Sequence, residues 1–210
     1  MSYVGVVVLA GGRSARFSGS GDHKLLAQID GTPIIRMCAT VALDSGVGRV
    51  IVVTGANADN VAASLIGLNL DIVHAPAFAD GMSASLKRGV EALRSAAAIV
   101  VTLGDQPGVK VEAIRRVVAR WHETNAQIVV ARYADDDRPA HPVLFAAPVY
   151  RELMALAGDV GARSVITRDP RRVAAAPLDW NAPRDVDTLE DLTLATADLA
   201  APPATKQKLD

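Results

Sequence analysis

At 210 residues, with half of its side chains hydrophobic (50%) and 21% charged, the chain can bury a substantial core as one domain. A formal net charge of -1 excludes the basic excess that would draw nucleic acid or an anionic membrane, while leaving room for a local basic pocket. The single Cys38 excludes an internal disulfide, no run is long enough to span a membrane, and Met1 leads into a strand without a leader pattern, so a cytoplasmic chain is expected.

In chain order, the apolar run Val4 to Leu9 predicts a buried strand that breaks into Ala10-Gly11-Gly12-Arg13-Ser14-Ala15-Arg16, with Lys24 about one loop later. Gly11 and Gly12 let main-chain N–H groups face anionic oxygens, Arg13 and Arg16 can fork onto phosphate, and Lys24 adds a compact charge. The spacing is neither GxxxxGK[ST] nor GxGxxG, and a plain strand-to-loop turn with solvated cations is the competing reading. Helices are predicted from Pro33 to about Ser45 and from Ala58 to Ile66, and buried strands over Val50 to Thr54 and Leu70 to His74. In Asp80-Gly81-Met82-Ser83-Ala84-Ser85, Ser83 reads as the N-cap of a helix to Leu93 whose Leu86, Val90 and Leu93 face inward. Such an N-terminus serves either for capping alone or for an anionic or polar ligand edge.

The strand Ile99 to Leu103 ends in Gly104-Asp105-Gln106-Pro107, where Asp105 is placed either to ligate a hard cation such as magnesium or to stabilise a turn before the next helix. That helix, Val111 to Trp121, sets Val111, Ile114, Val118 and Trp121 on one face, and Ile128 to Ala131 reads as a further buried strand. His141 in Arg138 to Phe145 precedes a strand, a position usually structural, and Gly158 to Arg163 opens another helix. In Asp185-Val186-Asp187-Thr188-Leu189-Glu190-Asp191, Thr188 reads as an N-cap with Asp191 as the capping-box acid. Capping leaves Asp185 and Asp187 unexplained, and either is available to share a metal with Asp105. Strands alternating with helices predict an α/β, doubly wound, mainly parallel sheet with ligands at the strands' carboxyl ends. One domain over 1–199 and a disordered tail over 200–210 are expected.

Together, LAGGRSARF with its following lysine, GMSASL, LGDQP, RPAHPVLF, GDVGAR and DVDTLEDL resemble the MobA/MocA-like nucleotidyltransferases, in particular the molybdenum cofactor cytidylyltransferase branch, over about residues 4 to 198. The resemblance implies a Rossmann-like nucleotidyltransferase fold in which Leu9, Ala10, Gly11, Gly12, Arg13 and Lys24 hold the nucleoside triphosphate. Gly81, Ser83 and Ser85 would contact the base, and Arg16, Lys24 and Asp105 would be catalytic. Asp105 and Asp187, with Asp185 next in line, would bind Mg2+, and His141 and Arg163 would face the phosphorylated pterin acceptor. It further implies nucleotidyl transfer from CTP, less readily GTP, to the terminal phosphate of molybdopterin with release of pyrophosphate, and a molybdenum hydroxylase as recipient of the product. Other phosphorylated acceptors, such as a sugar or alcohol phosphate, and a non-catalytic role in cofactor delivery are the alternatives. Three departures stand out: a longer, more mobile loop over Phe17 to His23, Leu189 where the family favours proline, and Gly11, which resembles the guanylyl-transferring branch.

Overall fold

The computed structural model describes residues 3–12, 17, 23–159 and 161–201. Its strands and helices in chain order are β1 (Val4–Ala10), β2 (Gln28–Ile29), β3 (Thr32–Pro33), α1 (Ile34–Asp44), β4 (Val50–Thr54), α2 (Ala58–Ser64), β5 (Asp71–His74), α3 (Met82–Ala92) and β6 (Ala98–Leu103). They continue as α4 (Val111–Thr124), β7 (Ile128–Tyr133), β8 (Asp136–Ala146), α5 (Tyr150–Met154), α6 (Arg163–Arg168), β9 (Val173–Pro177) and α7 (Leu189–Ala200).

Seven strands form one sheet in the order β5-β4-β1-β6-β8-β7-β9. The central strands are apolar on both faces because helices cover both. On one side, Val6, Val8 and Val52 pack with Ile34, Ile35, Ile114 and Val117 of α1 and α4. On the other, Val7, Ile51 and Val53 pack with Leu86 and Val90 of α3, with Leu93 at its C-terminal cap, and with Leu153 and Val165 of α5 and α6. Burying each such side chain contributes about 1.5–3 kcal/mol, which is why unbroken valine runs become central strands here. Cys38 lies in the first core, its thiol pushed up by burial. Among the described residues no helix is long and apolar enough to cross a membrane.

The chain leaves β1 towards β4 and β5 on one side, and β6 pairs with β1 on the other, both in parallel, with Leu9 opposite Leu103. The order of connections therefore reverses between β1 and β6. That switch point opens a crevice at the carboxyl ends of the two strands.

The doubly wound, mainly parallel expectation holds, with additions and one correction: β5, expected to be buried, is an edge strand paired only with β4, and its Asp71, Ile72 and His74 are exposed. β8 runs antiparallel to both β6 and β7. Only residues 134 and 135 separate β7 from β8, a connection too short for a parallel crossover. β9, which pairs parallel to β7, is alanine-rich and carries little strand propensity, and the β2–β3 hairpin and the five-residue α5 are too short for periodicity to register. α2 ends at Ser64, two residues short of expectation, where Arg36 Nη1 takes the Ser64 and Ile66 carbonyls at 2.8 and 3.1 Å. Ser83 is not the N-cap of α3: Gly81 occupies that position and Ser83 lies inside the first turn.

Candidate functional site

The crevice is lined first by the turn after β1. Ala10 is buried, and Gly11 packs so closely on Ser85 that an added Cβ would overlap the Ser85 hydroxyl. Gly55, at the end of β4, closes the same spot, since a Cβ there would fall 2.5 Å from the Gly11 carbonyl oxygen. Gly12 by contrast is exposed, and among the described residues, its chain neighbours aside, no heavy atom lies within 4 Å of where its Cβ would be. Gly12 thus leaves the backbone after β1 accessible, as an anion contacting main-chain N–H groups would need. Arg13 and Arg16 lie outside the described residues, as do 18–22 of the long loop and 202–210 of the tail.

The chain re-enters on two core anchors, Phe17 and Leu25, both nearly inaccessible. Between them His23 is 8% exposed, and its Nε2 donates to the Gly12 carbonyl at 3.1 Å. Burial pushes its imidazole below the ordinary histidine pKa, so at neutral pH it acts as a neutral clamp on the glycine turn. Lys24 begins a 3-10 turn, Lys24–Leu26. Its Nζ donates to Asp105 Oδ2 at 2.5 Å and to Asp187 Oδ1 at 2.7 Å. The lysine side chain is only 10% exposed. Burial alone would lower its pKa, but the two carboxylates outweigh it and the net shift is upward.

Asp105 sits in the loop after β6, tied to β1 by Gly104 N–H donating to the Leu9 carbonyl at 2.9 Å. A Cβ at Gly104 would meet Ile35 Cδ1 at 2.8 Å and the Leu9 carbonyl oxygen at 3.0 Å, so glycine eases the close approach of the two loops. The Asp105 carbonyl accepts from Val186 N–H at 2.9 Å, which docks the 185–187 segment alongside. Asp187 is then set by the complete capping box of α7. The Asp191 carboxylate accepts from the N–H groups of Asp187 and Thr188 at 3.2 and 2.8 Å, and Thr188 Oγ1 accepts from Asp191 N–H at 3.1 Å. Asp185 turns elsewhere, accepting from Gln106 Nε2 at 2.7 Å. Partial burial and the nearby Asp105 charge push its carboxyl above the ordinary aspartate value.

The cap makes a checkable outcome. Thr188→Ala should cost about 1 kcal/mol of stability, read by thermal melting. It should also raise the Asp191 pKa, which the Thr188 contact holds below the usual range. A depressed carboxyl stabilises the fold above its unfolded pKa and loses that contribution as pH falls through the folded one. The stability difference between wild type and Thr188→Ala should therefore shrink towards low pH; an unchanged Asp191 titration by NMR would contradict this.

On the α3 side, Gly81 has φ +112° and lies against Gly158 so closely that any Cβ would overlap that residue's backbone. Ser83 N–H donates to the Gly158 carbonyl at 3.2 Å, joining this loop to the one before α6. Ser83 and Ser85 are buried, 2% and 6% exposed. Because Ser85 fills the space beside Gly11, Gly11→Ala should raise the apparent nucleotide dissociation constant by about tenfold. Pairing it with Ser85→Gly should recover most of the loss, and an inert single substitution would show that the contact does not shape the site.

His141 falls within β8, its Nδ1 donating to the Val101 carbonyl of β6 at 3.2 Å. Burial pushes its pKa down, against the opposing pull of Asp185 and Asp105, so the ring is neutral and beside the carboxylates. Arg163, the first residue of α6, is exposed and makes no side-chain hydrogen bond or ion pair among the described residues.

Sequence reasoning missed Gly55 and the Gln106–Asp185 pair, and gave no sign that Gly158 would pack on Gly81. A single glycine after a strand and an amide beside an acid carry no spacing signal of their own. Among the described residues no three His, Cys, Asp or Glu side chains converge as a resident metal centre. The Asp105–Asp187 pair nonetheless fits a hard cation: both donors are carboxylate oxygens, and they already converge on one ammonium. A separate groove of about 640 Å³ between α4 and the 177–180 segment includes none of these residues, and its Arg115 is spent on the carbonyls of Asp44 and Ser45.

A family model described as the MobA-like NTP transferase domain matches residues 6–173. A curated relative, nicotine blue oxidoreductase from Paenarthrobacter nicotinovorans, is 30% identical over 193 residues, 89% of this chain and 93% of the relative. The solved structure of Rv0371c from Mycobacterium tuberculosis superposes with TM-score 0.81 at 31% identity, covering 93% of this chain and 98% of that one. A manganese complex of the same mycobacterial protein gives TM-score 0.78 at 29% identity, covering 93% and 99%. A nucleotidyl transferase from Methanothermobacter thermautotroptrophicus shares the fold, with TM-score 0.79 at 24% identity over 94% of this chain and 98% of that one.

Proposed function

This chain belongs to the MobA-like NTP transferase family, and we propose that it transfers a cytidylyl group from CTP, less readily a guanylyl group from GTP, to the terminal phosphate of molybdopterin. The observation that carries the reading is the meeting of Lys24 with Asp105 and Asp187 at the switch point, beside the bare backbone of Gly11 and Gly12. A carboxylate pair, an ammonium and an accessible glycine backbone suit a triphosphate and its cation better than a neutral ligand.

In the proposed reaction, an oxygen of the acceptor phosphate attacks the α-phosphorus. One P–O bond forms, the bond from the α-phosphorus to the bridging oxygen breaks, and pyrophosphate leaves with the electron pair. A phosphate nucleophile is already ionised at neutral pH, so no general base is assigned, and His141, neutral beside Asp185, is kept for acceptor contact. The work of the protein is positioning and charge compensation. Gly11, Gly12 and Ala10 offer backbone donors, with Leu9 beneath them, while Arg13, Arg16 and Lys24 supply positive charge. Gly81, Ser83 and Ser85 border the base, and Arg163 lies on the acceptor side. Magnesium, held by Asp105 and Asp187, would neutralise charge on phosphate oxygens. A divalent cation is consistent with the manganese complex of the mycobacterial relative. The catalytic domain is taken as 1–199.

A pyrophosphate-release assay with CTP, magnesium and molybdenum-loaded molybdopterin tests this, with GTP in parallel. Turnover preferring CTP is expected, and none with any nucleotide would sink the proposal. Turnover with a sugar or alcohol phosphate in place of the pterin would move the acceptor assignment. The curated relative's name favours a second reading, an oxidoreductase on this scaffold, which predicts consumption of a reductant without pyrophosphate.

A further inference from the structure

We infer that Lys24 is the resident counter-cation of the Asp105–Asp187 pair, so that a divalent cation enters only as the ammonium leaves and the triphosphate is what draws it away. The exchange of cations stands on geometry, and the part played by the triphosphate rests on the nucleotidyl-transfer reading.

Asp105 Oδ2 and Asp187 Oδ1 lie 2.5 and 2.7 Å from one nitrogen, so the point at which both oxygens converge is filled by Nζ. A protonated lysine has three donors and no lone pair, so it cannot join a metal's coordination sphere. A cation seated between the same oxygens, at the roughly 2.0–2.1 Å that magnesium requires, would overlap the ammonium and add two positive charges to the one present. One of the two must go.

The lysine's surroundings permit this exchange. Its backbone is pinned on both sides, by Leu25 in the core and by His23 Nε2 on the Gly12 carbonyl. The four-carbon stem is therefore the part that can swing. The same His23 bond places the base of Lys24 next to the glycine turn, where no other described residue crowds Gly12. A triphosphate on that turn would offer anionic oxygens to replace the carboxylates that the ammonium gives up. Free metal should bind weakly, and metal and nucleotide should each tighten the other, since such coupling is reciprocal.

Manganese binding without nucleotide, followed by electron paramagnetic resonance, tests the idea in the wild type and in Lys24→Met. The variant is expected to bind Mn2+ about tenfold tighter or better, a coupling within the usual range. Added Mn2+ should also raise its melting temperature more than that of the wild type. Equal or weaker Mn2+ binding by the folded variant would overturn the inference, as would no binding by either protein. If Lys24→Met does not fold, wild-type NMR of the lysine ammonium groups gives the answer. The Lys24 signal should move as Mg2+ is titrated, and a signal that stays fixed while the Asp105 and Asp187 carboxyl resonances shift would overturn it. Wild-type turnover with unchanged Mn2+ affinity in the variant would sink this inference alone. Absent turnover with tighter Mn2+ binding would instead sink the transfer reading and leave the exchange standing.

Discussion

Asp105→Asn should lower kcat for pyrophosphate release by about a hundredfold to a thousandfold, the usual loss when one element of a charge-stabilising site is removed. Asparagine keeps the shape of the side chain and can still accept from Lys24 Nζ. The Asp105 carbonyl would go on holding Val186 N–H, because that bond is made by the backbone. The fold should therefore survive, with a melting temperature within a few degrees of the wild type. Only the charge is lost, and with it half of the pair proposed to hold the cation. Activity within tenfold of wild type, measured at saturating magnesium, would remove Asp105 from the catalytic set.

Gly81→Ala should have the largest effect on the scaffold of the site. At φ +112° an L-residue is strained by about 1–3 kcal/mol, and here the new methyl would also run into the backbone of Gly158. Rigid backbone cannot give way as a side-chain tip can, so either α3 or the loop before α6 must shift. The bond from Ser83 N–H to the Gly158 carbonyl would be weakened in the process. A stability loss of about 3 kcal/mol is expected, a drop of roughly 6–12 °C in melting temperature for a chain of this size. The nucleotide KM should rise about tenfold, because Ser83 and Ser85 ride on the displaced helix start. A melting temperature and KM both unchanged would show that the close approach is not required.

How much could be read beforehand varies with the kind of signal. The Val50–Thr54 strand appears where its β-branched run placed it, and the Thr188–Asp191 capping box forms as its spacing indicated. Those elements depend on local chemistry. The α3 cap differs from expectation because serine is a strong N-cap in isolation and packing overrides that preference here. Gly81, held at positive φ by packing against Gly158, starts the helix two residues earlier. β8 was read without its direction, since strand propensity carries no orientation and only the two-residue link after β7 imposes one. Residue type and spacing alone leave Asp185 and Asp187 as equals, and only the resemblance ranks Asp187 first. The Val186 bond to the Asp105 carbonyl directs one to Lys24 and the other to Gln106.

The α/β class, the mainly parallel sheet, the glycine pair after β1 and the family are legible without coordinates, because apolar periodicity and ordered short motifs are local properties. Tertiary structure alone decided that Lys24 lies between Asp105 and Asp187, residues 81 and 163 positions away along the chain, and that Gly11, Gly55 and Ser85 close on one another. Contacts of that kind arise where strands from distant parts of the chain end at one sheet edge, and their distances are set by packing and register that no local pattern encodes.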